Sequence, residues 1–198
     1  MTAKTSRPAY TAFVGQRRLL TGDRITIALA VKAAVASGHA AILVFEDATG
    51  RQVDFDLRGS EADIRARLSE PAIQEPRGRG RPRLGVTARE VTLLPRHWEW
   101  LGAQPGGASA TLRRLVDEAR KSSAAGDERR RATEAAYRAM SALAGDLPGF
   151  EEAARALFAG DLAKTRSFVE RWPGDIAAYL DAMIGRSAED VAPPQGEA

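Results

Sequence analysis

The chain has 198 residues, enough for one good core or two small ones, and its hydrophobic fraction of 44% is ordinary for a soluble globular protein. It contains no cysteine, which excludes a disulfide framework, a thiolate zinc site and a thiol nucleophile. The net charge of +3 is unevenly spread: residues 77–121 carry ten Lys or Arg against four acids, and residues 122–198 carry nine against thirteen.

In chain order, the opening MTAKTSRPAY lacks the apolar core of a secretory signal, and no apolar run approaches bilayer length. A cytoplasmic location without membrane contact is therefore expected. Tyr10–Val14 is a β-prone run that pairs with Arg17–Leu20 across a Gly15-Gln16 turn. Asp23 is placed to cap a helix whose apolar face is Ile25, Leu29, Ala33 and Ala36, and Gly38 ends that helix. Ala41–Phe45 reads as a buried strand, Asp47–Gly50 as a turn, and Arg51–Leu57 as an alternating strand. Ser60–Leu68 adds a short helix.

Asp54 and Asp56 share one strand face, with Glu46 or Asp47 across the hairpin. Carboxylates grouped in this way hold Mg²⁺ or share a proton. Alternation alone places the same residues on a solvated outer face, which is the cheaper explanation. His39 has no second histidine near it, so no metal role is expected.

Pro71–Pro82 is poor in apolar residues and rich in Pro, Gly and Arg, and reads as an exposed basic linker. Within it, Arg79-Gly80-Arg81-Pro82, flanked by Arg77 and Arg83, resembles an AT-hook. In that motif a glycine lets extended backbone lie deep in the narrow minor groove of A·T tracts, where arginines meet enhanced negative potential. A solubilising linker is the alternative. Val86–Leu94 then reads as a strand, and Pro95 starts a helix whose apolar side is Trp98, Leu101 and Trp100. Gly102 to Gly107 breaks it, and Ser109 caps a second helix with Leu112, Leu115, Val116 and Ala119 at helical spacing.

Strand, helix, turn and helix in this order resemble the ribbon-helix-helix fold, in which two chains pair strands into a ribbon that enters the major groove. The resemblance implies a homodimer and places Ser109 at a helix N-terminus against a phosphate. It also turns Ala88, Glu90 and Thr92 toward the groove, where Glu90 is repelled by phosphate. His97 and Glu99 lie two apart on the helix and point to different sides, so they form no acid–base pair. The segment reads instead as a helical turn with Trp98 buried.

Asp127–Ala144 reads as a helix with Ala136, Met140 and Leu143 inward and Arg129-Arg130-Arg131 in its first turn, against the helix dipole. Pro148–Phe158, Leu162–Trp172 and Asp175–Ile184 follow as amphipathic helices. Phe150, Leu157, Phe158, Phe168, Trp172, Tyr179 and Met183 form their expected core.

Across the whole chain, Asp56–Gly59, Gly80–Val86, Arg89–Leu101 and Gly106–Ser109 resemble a bacterial family, the domain of unknown function numbered two-two-three-nine. The resemblance implies a bacterial origin and supplies no activity.

The fold expected is α+β. A small antiparallel sheet with one helix occupies 1–70, a basic linker 71–85, a strand-helix-helix element 86–122, a helical subdomain 123–186 and a disordered tail 187–198. The function expected is that of a DNA-associated accessory or regulatory protein. Duplex is held by Arg77, Arg79, Arg81 and Arg83, with Arg89, Arg96, Ser109, Arg113 and Arg114 in support. The alternative is a protein-interaction module. The sequence carries no phosphate loop, metal quartet or triad, so neither an enzyme nor a cofactor is expected.

Overall fold

The structure, a computed structural model, describes residues 9–69 and 89–189. The described elements are β1 (Tyr10–Val14), β2 (Arg17–Gly22), α1 (Arg24–Ala36), β3 (Ile42–Glu46), β4 (Arg51–Gln52), α2 (Glu61–Ser69), α3 (Pro95–Gly102), α4 (Gly107–Ala144), α5 (Phe150–Phe158), α6 (Leu162–Val169) and α7 (Gly174–Glu189). By contacts the chain divides into two compact units, Met1–Glu70 with Ala125–Ala198, and Pro71–Ala124. The α+β layout with a helical C-terminal half is as the sequence leads one to expect.

In the first unit the four strands form an antiparallel sheet in the order β2-β1-β3-β4. Gly15, at φ 57°, makes the tight β1–β2 turn. The Asp23 carboxylate caps α1 by accepting from the Ile25 and Thr26 N–H groups, both at 2.9 Å. Strand alternation then assigns the two sheet faces. Ala12 and Val44 pack on Ile27 and Val31 of α1, with Tyr10, Phe55 and Leu57 at the margin. Phe13 and Phe45, on the other face, join a larger core with Ala135, Ala136, Ala139 and Met140 of α4 and with Leu157, Trp172, Ile176, Tyr179 and Leu180. Burying each of these phenylalanines contributes roughly 2–3 kcal/mol. The sheet is thus sandwiched between α1 and the C-terminal helices.

Several expectations need correction. The inward face of α1 is Ile27, Ala28, Val31 and Ala34, while Ala33 and Ala36 are exposed. The helix is apolar nearly all round, so spacing alone does not choose its face. The last strand is Arg51–Gln52 rather than Arg51–Leu57, although Val53 N–H still donates to Val44 C=O at 2.9 Å. Arg129, Arg130 and Arg131 lie inside α4 rather than in a first turn. Arg130 pairs with Asp127 and Arg131 with Glu128, both at 2.7 Å, so no clash with the helix dipole arises. Phe158 is exposed, and it meets the Tyr137 ring at a centroid distance of 5.0 Å. α7 continues through 187–189, into the segment expected to be a disordered tail; 190–198 lie outside the described residues. Among the described residues no helix is long and apolar enough to cross a membrane.

The second unit is described over 89–124. Residues 89–94 hold no strand, and Leu94 precedes α3 with extended backbone (φ −65°, ψ 149°) and Pro95 at its first turn. The strand expected over Val86–Leu94 is therefore absent from its described part, and with it the ribbon at 89–94; 86–88 lie outside the described residues. A turn over 103–106 leads into α4, which runs unbroken to Ala144 where the sequence suggested two helices. Leu101 and Thr111 are buried. Residues 117–126 are exposed all round.

Candidate nucleic-acid interface

The second unit carries the basic charge. Residues 71–124 hold ten Lys or Arg against five acids, whereas the rest of the chain holds nineteen against twenty-one. Arg77, Arg79, Arg81 and Arg83, and the basic linker 71–85 that contains them, lie outside the described residues. Arg89 is exposed before α3, and Arg96 is the second residue of α3, also exposed. Neither side chain has a hydrogen-bond or ion-pair partner among the described residues. Ser109 sits exposed in the first turn of α4, not at its cap, and its C=O accepts from Arg113 Nε at 3.2 Å. Arg114 is taken up by Glu118 at 3.0 Å. Among the described residues Arg89 and Arg96 thus have no partner, Arg113 is tied to its own helix, and Arg114 is neutralised.

The tryptophans depart from expectation. Trp98 is 42% exposed and Trp100 51% exposed, where the sequence reading buried Trp98. On a helix, residues three and four apart share a face. Leu94, Trp98 and the buried Leu101 therefore line one side of α3, and Arg96 and Trp100 line the other. That spacing was present in the sequence, and it is the signal that distinguishes the two indoles. Val91, Leu94 and Val116 add exposed apolar surface. An arginine without a partner beside an open indole can contact phosphate with one group and stack a planar ring on the other.

In the first unit the polar side chains largely satisfy one another. Asp47 accepts from the Tyr179 hydroxyl at 3.0 Å and from the Thr11 hydroxyl at 3.2 Å, and its C=O accepts from Arg186 at 2.6 Å. Burial, and next the Asp47 carboxylate, push the Tyr179 phenol far above its ordinary value. Asp54 and Asp56 are exposed, as alternation on a solvated outer face leads one to expect. Asp56 accepts two bonds from the Arg58 guanidinium, both at 2.9 Å, and one from the Arg58 N–H at 3.1 Å. These bonds hold its carboxyl well below the usual carboxylate range. Asp63 is lowered in the same way, by the Ser60 hydroxyl and N–H. His39 Nδ1 meets the Ala34 carbonyl at 3.1 Å. Among the described residues no three or more His, Cys, Asp or Glu converge as metal ligands. An open groove of about 570 Å³ lies between the β3–β4 turn and α4, lined by Arg51, Gln52, Tyr137, Arg138 and Ser141. Arg138 is already engaged there by Glu134 at 2.9 Å and by Thr49 C=O at 3.0 Å.

No curated protein and no solved structure matches the chain. A family model does match, over residues 9–184, which takes in nearly all of the described chain. The chain belongs to the family described as uncharacterized protein conserved in bacteria (DUF2239).

Proposed function

We propose that the protein is a cytoplasmic, DNA-associated accessory or regulatory protein that binds through residues 71–124 and catalyses no reaction. The observation that carries this reading is the coincidence of charge with architecture. The compact unit 71–124 holds ten basic residues against five acids, while the remainder is slightly acidic. A unit with a net basic balance attracts a polyanion. Arg77, Arg79, Arg81 and Arg83 supply the groove contacts in this reading, and Arg89 and Arg96 add phosphate contacts. The proposed contact needs no second chain.

A protein-interaction module is the second reading, favoured by the exposed apolar side chains Val91, Leu94 and Val116 of the same unit. Titration of the full chain against A·T-rich and G·C-rich duplexes separates the two. The DNA reading expects binding with preference for A·T-rich duplex. It also expects loss of that preference in the Arg79→Ala/Arg81→Ala variant, since minor-groove insertion needs both guanidinium groups. No duplex binding at low salt removes the DNA reading and leaves the interaction module.

A further inference from the structure

α3 offers a more particular feature than a basic patch. Two indoles lie within three residues of one short helix, and both are open to solvent. Trp98 shares its face with the buried Leu101. Trp100 lies on the opposite face, one turn after Arg96, whose guanidinium has no partner among the described residues. The helix fixes their spacing at one turn, with Pro95 setting its start and the Gln104 amide donating to Trp100 C=O at 3.2 Å. In a duplex the faces of the bases are already stacked on one another and closed to an indole. In a single strand they are open, and stacking on an aromatic side chain tolerates any sequence.

We propose that Trp100 is a base-stacking post and that Arg96 holds the adjoining phosphate, so that the second unit takes single-stranded DNA. The inference rests on the nucleic-acid reading and adds a single strand, held on α3, to the duplex held by the arginines of 77–83. Charge complementarity argues for this occupant over an apolar one: the unit that bears Trp100 has a balance of ten basic to five acidic residues. Glu99 flanks the same face and opposes a phosphate, so its removal strengthens the contact.

The test uses tryptophan emission from the full chain. Trp172 is 6% exposed and its indole N–H donates to Pro148 C=O at 2.9 Å, so it supplies a constant background. Addition of oligothymidine at low salt is expected to quench the remaining emission as bases stack on the indole. Trp100→Ala is expected to weaken single-strand binding roughly tenfold or more, in line with the loss of one stacked base. Trp100→Phe retains most of the affinity, because a ring remains, and Glu99→Gln raises it. Unchanged far-UV circular dichroism and melting show that each variant is folded. Duplex is titrated in parallel. If duplex binds but oligothymidine does not quench, or if Trp100→Ala binds oligothymidine as well as wild type does, the stacking post is overturned and the DNA reading survives. If neither nucleic acid binds, both fall.

Discussion

Tyr179 ties α7 to the sheet through its ring and to the turn after β3 through its hydroxyl. Its ring meets Phe13 at 5.3 Å and Phe45 at 6.1 Å, both from the sheet, and its O–H donates to Asp47 in the turn after β3. Tyr179→Phe keeps the ring contacts and removes the hydrogen bond, at an expected cost of about 1–2 kcal/mol in denaturant titration near neutral pH. The pH dependence follows from the raised phenol. Below about pH 10 the phenol carries its proton in both states, and its contribution is flat. Above that, the unfolded phenol ionises while the buried one does not. The unfolded state then binds fewer protons, and stability falls as pH rises, by up to about 1.4 kcal/mol per unit. Tyr179→Phe should show a shallower alkaline decline than wild type. A remaining slope is expected from Tyr10, which burial and the nearby Glu46 carboxylate also raise. Parallel alkaline limbs for the two proteins would contradict this account. At this scale the sequence was readable where a residue answers to its chain neighbours, as with the Asp23 cap, the Gly15 turn and Pro95 at the start of α3. The Tyr179–Asp47 bond joins residues 132 apart in sequence, and nothing local announces it.

The β3–β4 turn and α4 come so close that only glycine fits between them. A Cβ on Gly50 would lie 2.0 Å from the Ala135 carbonyl oxygen and 2.9 Å from Ala135 Cα, and Gly50 has φ 63°. The obstacle is helix backbone, which cannot swing aside as a side chain does. Gly50→Ala is expected to cost about 3 kcal/mol or more, combining left-handed strain with overpacking. Gly15→Ala is the control: φ is 57° but nothing lies within 4 Å, so only the left-handed penalty of roughly 1–2 kcal/mol applies. Equal losses in urea midpoint for the two variants would refute the close approach. Elements were legible where their pattern was strong, and β1, β2, β3 and the C-terminal helices lie near where periodicity puts them. α4 was not, because the apolar spacing that marks its first part, Leu112 to Ala119, lapses before Asp127. The helix persists through that stretch, and the Ser122 and Ser123 hydroxyls donate back to the Ala119 carbonyl, at 3.0 and 2.8 Å. The face of α1 was missed for another reason: RITIALAVKAAVA has no polar side to contrast with, so only the sheet it meets selects Ile27 and Val31.

For the whole molecule, charge and compactness divide the chain along one line. The first unit gathers the sheet and the C-terminal helices around Phe13, Phe45 and Met140, and its polar groups are largely spent on one another. The second unit keeps Arg89, Arg96 and both indoles open. The concentration of arginine over 77–121 was legible in the sequence. The joining of 9–69 with 125–189 into one core was not, since it depends on contacts across more than half the chain. Binding of duplex by the basic unit is the central claim, and the salt dependence of the full chain tests it most directly. Each phosphate neutralised by an arginine releases counterions, and log K falls with log salt at roughly −0.9 per contact. Contact by Arg77, Arg79, Arg81 and Arg83 predicts a slope near −3 to −4, and on the order of a hundredfold loss of affinity between about 50 and 200 mM salt. Duplex affinity that does not change with salt, or no duplex binding at micromolar protein and low salt, would contradict the account.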